Sequence, residues 1–129
     1  MNVRDAVEAD AERLAALTDA PTDVMRNLIH DRTVRVADDD ETVEGFVSFD
    51  VQAGTVHVTQ LEGDCELCER LLEEPARFAA CEEMDVELLV PETDTDAADA
   101  AVEAGFEECG RGPRFDGVGT TRYEWQPDA

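Results

Sequence analysis

Residues 55–72, TVHVTQLEGDCELCERLL, change period within one short stretch, and the rest of the chain is organised around that change. From Thr55 to Leu61 apolar and polar residues alternate, with Val56 and Val58 on one side of a strand and His57 on the other. From Cys65 onward, Leu67, Cys68, Leu71 and Leu72 share one helical face, and Phe78 and Cys81 follow further along. A strand therefore feeds directly into the N-terminus of a helix that runs to Met84. Pro75 lies inside that helix; because it lacks a donor and clashes with the preceding turn, it predicts a kink, or a restart with Pro75 in the first turn.

Upstream, Thr33 to Ala37 and Val43 to Val51 are rich in Val and Phe and read as two more antiparallel strands, separated from each other and from Thr55 by turns. The first turn, Asp38 to Glu41, has the acids of a calcium loop but neither its Gly nor its distant bidentate Glu, so it reads as a solvated hairpin tip. Gln52, Ala53 and Gly54 make the second turn. Before these strands, Ala11, Leu14, Ala15 and Leu17, then Val24, Met25, Leu28 and Ile29, recur at helical spacing behind a short strand at Val3 to Ala6. Downstream, Val86 to Val90 is an apolar run bounded by Pro91, hence a buried strand. Asp94 can cap a helix over Thr95 to Ala104 that Gly105 ends, and Phe106 to Gly110 and Val118 to Trp125 are the last two strands. The order is β-α-α-β-β-β-α-β-α-β-β.

At 129 residues the chain is long enough for one core and too short for two independent ones, so residues 1–129 form a single domain. The 33 Asp and Glu against 10 basic residues, every one of them Arg, leave a net charge of −23. Such self-repulsion destabilises a compact state in dilute buffer and is largely screened at about 1 M salt, where the Debye length is roughly 3 Å. The acids are spread through every element, which points to salt adaptation and not to a partner-binding block. With no basic stripe to neutralise phosphates, nucleic acid is excluded as a partner. No stretch approaches the roughly 18 apolar residues of a membrane span and the N-terminus lacks the regions of a signal peptide, so the expected location is the cytoplasm, away from membranes.

That order of elements, in this length, resembles the GNAT family of acyl-CoA-dependent N-acyltransferases along essentially the whole chain. Val3-Arg4-Asp5-Ala6-Val7-Glu8-Ala9-Asp10-Ala11-Glu12-Arg13-Leu14 is similar to the family's opening strand and helix. Asp94 through Gly105-Phe106-Glu107-Glu108 is similar to its last helix running into a "GF" strand. The resemblance implies an α/β domain with a central, twisted, mostly antiparallel sheet and helices on both faces. It also implies an acetyl-CoA cofactor, held by a loop of the pattern Arg/Gln-x-x-Gly-x-Gly/Ala whose backbone N–H groups, at the start of a helix, grip the diphosphate. Counted back from Leu71-Leu72, those three positions fall on Gly63, Glu66 and Cys68, and none matches. The family's general acid, a Tyr near the end of the penultimate helix, falls on Ala101. Of the cofactor-binding positions only the apolar Val58, on the strand that would pair with pantetheine, is kept.

Other residues carry chemistry of their own. Cys65-Glu66-Leu67-Cys68 opens a helix, where a thiolate is stabilised, but Asp64, Glu66 and Glu69 oppose that charge; zinc would need further ligands such as Cys81, Cys109 or His57. Cys68 and Cys81 read most simply as small, buried, unreactive core residues, and no metal site is assigned. Tyr123 is the only Tyr and reads as an aromatic packed on the sheet beside Trp125. His57 reads as an ordinary histidine with no partner, and His30 as a residue near a helix C-terminus. Arg111, Arg114 and Arg122 pair with nearby acids, and Arg70 and Arg77 have Glu66 and Glu73 four residues earlier. Two functions follow: a non-catalytic descendant whose cleft binds another small molecule or protein, with a homodimer open, or an atypical N-acyltransferase using acetyl-CoA on an amine.

Overall fold

The computed structural model describes residues 1–127. Strand β1 (Asn2–Asp5) leads through a single 3-10 turn (Glu8–Asp10) into α1 (Ala11–Thr18) and α2 (Thr22–Asp31). Strands β2 (Thr33–Asp38), β3 (Val43–Gln52) and β4 (Thr55–Glu62) follow, then α3 (Cys65–Glu82), β5 (Asp85–Pro91), α4 (Thr95–Glu103), β6 (Glu107–Arg111) and β7 (Thr120–Trp125). The seven strands form one sheet in the order β1-β2-β3-β4-β5-β7-β6. Every neighbouring pair is antiparallel except β4 and β5, which are joined through α3 and run parallel. Among the described residues no helix is long and apolar enough to cross a membrane.

Helices cover both faces, and each cover has its own core. On one face α1 and α2 bury Leu14 and Met25 against Val34, Val36 and Phe46. On the other, α3 and α4 bury Leu71, Leu72, Ala100 and Ala101 against Val47, Phe49, Val56, Val86 and Leu88. Phe46 and Val47 are neighbours in sequence, point to opposite faces, and are both fully buried. Strand β3 is thus covered on both sides, which is why its sequence is a run of apolar residues and not an alternation. Each such fully buried Leu or Phe contributes roughly 1.5–3 kcal/mol relative to exposure.

Two expectations for α3 are corrected. It does not restart at Pro75 but is one helix from Cys65 to Glu82, with the Pro75 ring fully buried in the core, so packing offsets the backbone donor it lacks. The buried stripe runs Cys68, Leu71, Leu72, Pro75 and Ala79; Phe78 and Cys81 lie outside it and are exposed. The residues 38–41 form the exposed tip of the β2–β3 hairpin, where the Asp39 carboxylate accepts the N–H groups of Glu41 and Thr42.

Candidate functional site

The parallel β4–β5 ladder is short. It pairs Thr55 with Asp85 through Val58 with Leu88 and then stops, although β4 runs on to Glu62 and β5 to Pro91. One extra residue in β4 accompanies the parting: Ser48 pairs with Gln60 and Phe49 with Val58, leaving Thr59 as a bulge that bends its strand. Ser48 Oγ and Thr59 Oγ1, 2.6 Å apart, tie the bulge to β3. The diverging strands open a cleft of about 500 Å³, within the range of small-molecule sites.

Val58 lines this cleft at the last rung of the ladder, with Leu88 and Val90 opposite. Beyond the bulge Gln60 and Glu62 share a side of the sheet with each other, the side opposite to Val58, because they pair with Ser48 and Phe46 while Val58 pairs with Phe49. Gln60 Oε1 is a buried atom with no hydrogen-bond partner. Burial, reinforced by Asp94, pushes the Glu62 carboxyl above its ordinary range. His57 has the partner that spacing did not reveal: its Nδ1 lies 3.4 Å from Glu87 on β5, the residue directly across the ladder. Arg122 approaches the same carboxylate at 3.7 Å, and Arg32, at the end of α2, pairs with Asp50 at 3.0 Å. Phe115, in the β6–β7 connection, closes one side of the cleft while remaining largely exposed.

At this same C-terminal end of β4 the chain enters α3 through Gly63 and Asp64 alone. The Asp64 carboxylate accepts the N–H of Leu67 at 2.9 Å, and its carbonyl accepts that of Cys68 at 2.8 Å. Leu67 fills the space beneath: a Cβ on Gly63 would come within 3.1 Å of it. Cys68 is buried, donates to the carbonyl of Gly63 at 3.3 Å, and has its thiol pushed up to about 12 by burial first and surrounding acids second. Cys65 is also shifted up, by desolvation and by acids including Asp99 and Asp96. Neither thiol has the depressed value a redox pair needs. No group of three or more His, Cys, Asp and Glu side chains converges as metal ligands among the described residues.

The remaining candidates scatter. Ala101 is fully buried in α4, and Tyr123 packs in the same core, its hydroxyl pushed up by burial and by Glu108. His30 lies 3.6 Å from Glu8, Arg77 pairs with Glu74 in place of Glu73, and Arg114 bonds the carbonyl of Gly117 within its own turn.

No family model matches the sequence, and neither does any curated protein. Solved structures match over nearly the whole chain. The Salmonella typhimurium protein yncA, with its cofactor acetyl-CoA, superposes with TM-score 0.82 at 16% identity, covering 100% of this chain and 95% of its own. The ribosomal-protein-alanine N-acetyltransferase of Brucella melitensis gives 0.82 at 16%, covering 98% and 99%. Arabidopsis thaliana NAA60, in complex with a bisubstrate analogue, gives 0.79 at 13%, covering 97% of each chain. This chain has the GNAT fold. The β4–β5 parting and the strand-to-helix turn described above are therefore elements of that fold.

Within the GNAT fold, Glu66 occupies the first turn of α3 with its side chain exposed, whereas Cys68 points into the core. Sequence spacing located this turn, but not Gln60, Arg32 or Phe115. Gln60 sits on a strand with no local motif, and the bulge at Thr59, which no periodicity announces, sets the side of the sheet it faces.

Proposed function

We propose that this chain is a non-catalytic GNAT-fold binding protein, whose β4–β5 cleft takes a small ligand and does not take an acyl-CoA. The observation that carries this is the Asp64 carboxylate seated on the N-terminal pole of α3. A diphosphate at a helix N-terminus is held by free N–H groups and the positive end of the dipole, and here the chain's own carboxylate takes the Leu67 N–H and sets a negative charge at that end. Glu62, Asp64, Glu66 and Glu69 add like charge at that end. Two unit charges about 4 Å apart near a surface interact by roughly 4 kcal/mol before screening, and molar salt reduces this greatly, so shape counts for more than charge. The two-residue entry to α3 and the Leu67 side chain beneath it support the reading independently, because both survive screening. Val58 then serves as apolar wall for the ligand. Calorimetry with acetyl-CoA in about 2 M KCl tests the proposal. No heat at millimolar ligand is the expected result, and binding at micromolar concentration overturns it.

A second reading is favoured by one observation, the His57–Glu87 pair lining the cleft. In an N-acyltransferase a neutral amine attacks the thioester carbonyl, His57 accepts the amine proton, the C–S bond breaks, and coenzyme A leaves as the thiolate. This reading requires that acetyl-CoA bind and that an amine release free thiol from it, so the same calorimetry separates the two. The acidic surface is, on our reading, an adaptation to molar salt: the melting temperature should climb with KCl and flatten near about 1 M, as the Debye length shrinks.

A further inference from the structure

The sheet ends at β6, which among the described residues has β7 as its one strand neighbour. All five residues of β6, Glu107 to Arg111, are exposed. Gly112 donates its N–H to the Thr120 carbonyl, so the main-chain groups of Arg111, one residue earlier, point away from β7 and out of the sheet. An edge of this kind is a template for one more strand. The charge of the segment says which strand fits. The chain as a whole carries −23, so most faces of one copy repel another, but residues 105–122 are neutral: Glu107, Glu108 and Asp116 balance Arg111, Arg114 and Arg122. Among the described residues neither Glu108 nor Arg111 has an ion-pair partner.

We propose that two copies of this chain pair antiparallel through β6, with Cys109 of each copy opposite Gly110 of the other and the two-fold axis between these rungs. The bulge in β6 sets that register. The strand slips against β7 between Glu108 and Gly110, so Glu108 pairs with Tyr123 and Arg111 with Thr121. Tyr123 and Thr121 are two apart on a regular strand and face one side; Glu108 and Arg111, three apart, are brought to that same side by the bulge. Glu108 then stands opposite the partner's Arg111, and Arg111 opposite the partner's Glu108, so symmetry matches both unpaired charges twice over. A shift of one residue loses this. In one direction Arg111 meets Glu107, which faces the side of Glu124 instead; in the other it meets Cys109. Charges of a single sign guard an edge against its own copy, and this edge carries one of each. A five-residue strand covers less than the roughly 1,200 Å² of a standard interface, so the dimer is weak, with Kd on the order of 100 μM. The proposal does not depend on what the cleft binds.

The test is sedimentation equilibrium of the full chain from about 10 μM to about 1 mM, in about 1 M KCl to screen the net charge. The average mass should climb from 14.2 kDa towards twice that value. Arg111→Glu sets acid opposite acid and Glu108→Arg sets base opposite base, and each should weaken pairing about fivefold or more. The combined variant, Glu108→Arg with Arg111→Glu, restores opposite charges and should return Kd to within about twofold of the parent. Arg70→Glu, on α3, makes the same change of charge as Arg111→Glu and should leave pairing unchanged. Each of these side chains is exposed, so melting curves should show every variant folded. Alkylation of Cys109, beside the axis, should slow as protein concentration rises, and that of exposed Cys81 should not. A particle of 14.2 kDa at every concentration would overturn the proposal and leave β6 to a strand of another protein. Single variants that pair like the parent, a combined variant that does not recover, equal loss in Arg70→Glu, or a Cys109 rate that ignores concentration would overturn it as well.

Discussion

The Asp64 carboxylate and the Leu67 N–H, 2.9 Å apart, close the N-terminal pole of α3 with a side chain of the chain itself. This is a helix cap, and its removal has a defined cost. Asp64→Ala should lower stability by about 1 kcal/mol, which moves the melting temperature by about 4 °C in a domain of this size. Asp64→Asn should stay within a few tenths of a kcal/mol of the parent, since Asn caps equally well. Neither change should produce acetyl-CoA binding, because Leu67 and the short Gly63-Asp64 entry remain. Melting curves in about 2 M KCl check the first two outcomes. An Asp64→Ala protein as stable as its parent would show that the hydrogen bond contributes nothing.

Glu62 pulls stability in the opposite direction. Burial and then Asp94 raise its carboxyl above the ordinary value of 4.5, so the folded state binds this proton more tightly than the unfolded chain. Its contribution is therefore most favourable at low pH and declines as pH rises through and above 4.5. At neutral pH Glu62→Gln should melt higher than the parent, and the gap should close below about pH 4, where the parent is protonated as well. A gap that persists unchanged at acid pH would mean that the gain comes from packing and not from charge.

Arg4 and its two acids behave in the reverse sense. Arg4 holds Asp10 through two bonds of 2.9 and 3.1 Å and Asp38 through one of 2.8 Å, tying β1 to the turn before α1 and to the end of β2. These bonds lower both carboxyls below 3.8, so the folded state binds fewer protons than the unfolded chain. The stabilisation is complete above that value and is lost as pH falls through the depressed range. Arg4→Met, which keeps the aliphatic stem, should reduce the melting temperature at neutral pH and converge with the parent towards about pH 2, as read in a pH series of thermal melts.

The order of elements could be read because each segment's period agrees with its final environment. In β4, Val56 and Val58 meet the α3–α4 core while His57 faces away; in β3 the continuous apolar run matches burial on both faces. Pro75 and Cys81 misled for related reasons. A Pro inside a helix is costly in isolation, and only tertiary packing, here complete burial of its ring, offsets that cost. Cys81 stands one turn from an apolar Phe78, but Phe78 is itself at the surface, beside Phe49 at 5.9 Å between ring centroids, so adjacency carried no information about burial. The cleft was harder still. His57 and Glu87 are thirty positions apart and meet only through the parallel register of β4 and β5, a pairing that local pattern does not specify.

The cysteines should react according to burial and not according to their motif. Cys81 and Cys109 are exposed, Cys65 is partly covered, and Cys68 is buried with a thiol near 12. At about pH 9 roughly one Cys68 in a thousand is then thiolate. Iodoacetamide followed by mass spectrometry should modify Cys81 and Cys109 in the folded chain and Cys68 only after denaturation. Rapid labelling of Cys68 under native conditions, or ready formation of a Cys65–Cys68 disulfide with oxidised glutathione, would revive the redox reading.

Gly45 lets β3 pack closely against the end of β4 and against Leu67. A Cβ there would overlap the backbone carbonyl oxygen of Glu62 and approach Leu67 Cδ2 to 2.7 Å. The Leu67 side chain can turn away, but the Glu62 carbonyl is part of the β3–β4 ladder and cannot move without carrying the strand with it. Gly45→Ala should therefore cost about 2 kcal/mol, the range of an overpacked core. The strain falls at the end of β4, where Gln60, Glu62 and the cap of α3 follow one another. Thermal melts of the variant beside its parent in about 2 M KCl read that cost. A variant as stable as its parent would show that the end of β4 yields to a methyl group without loss of packing.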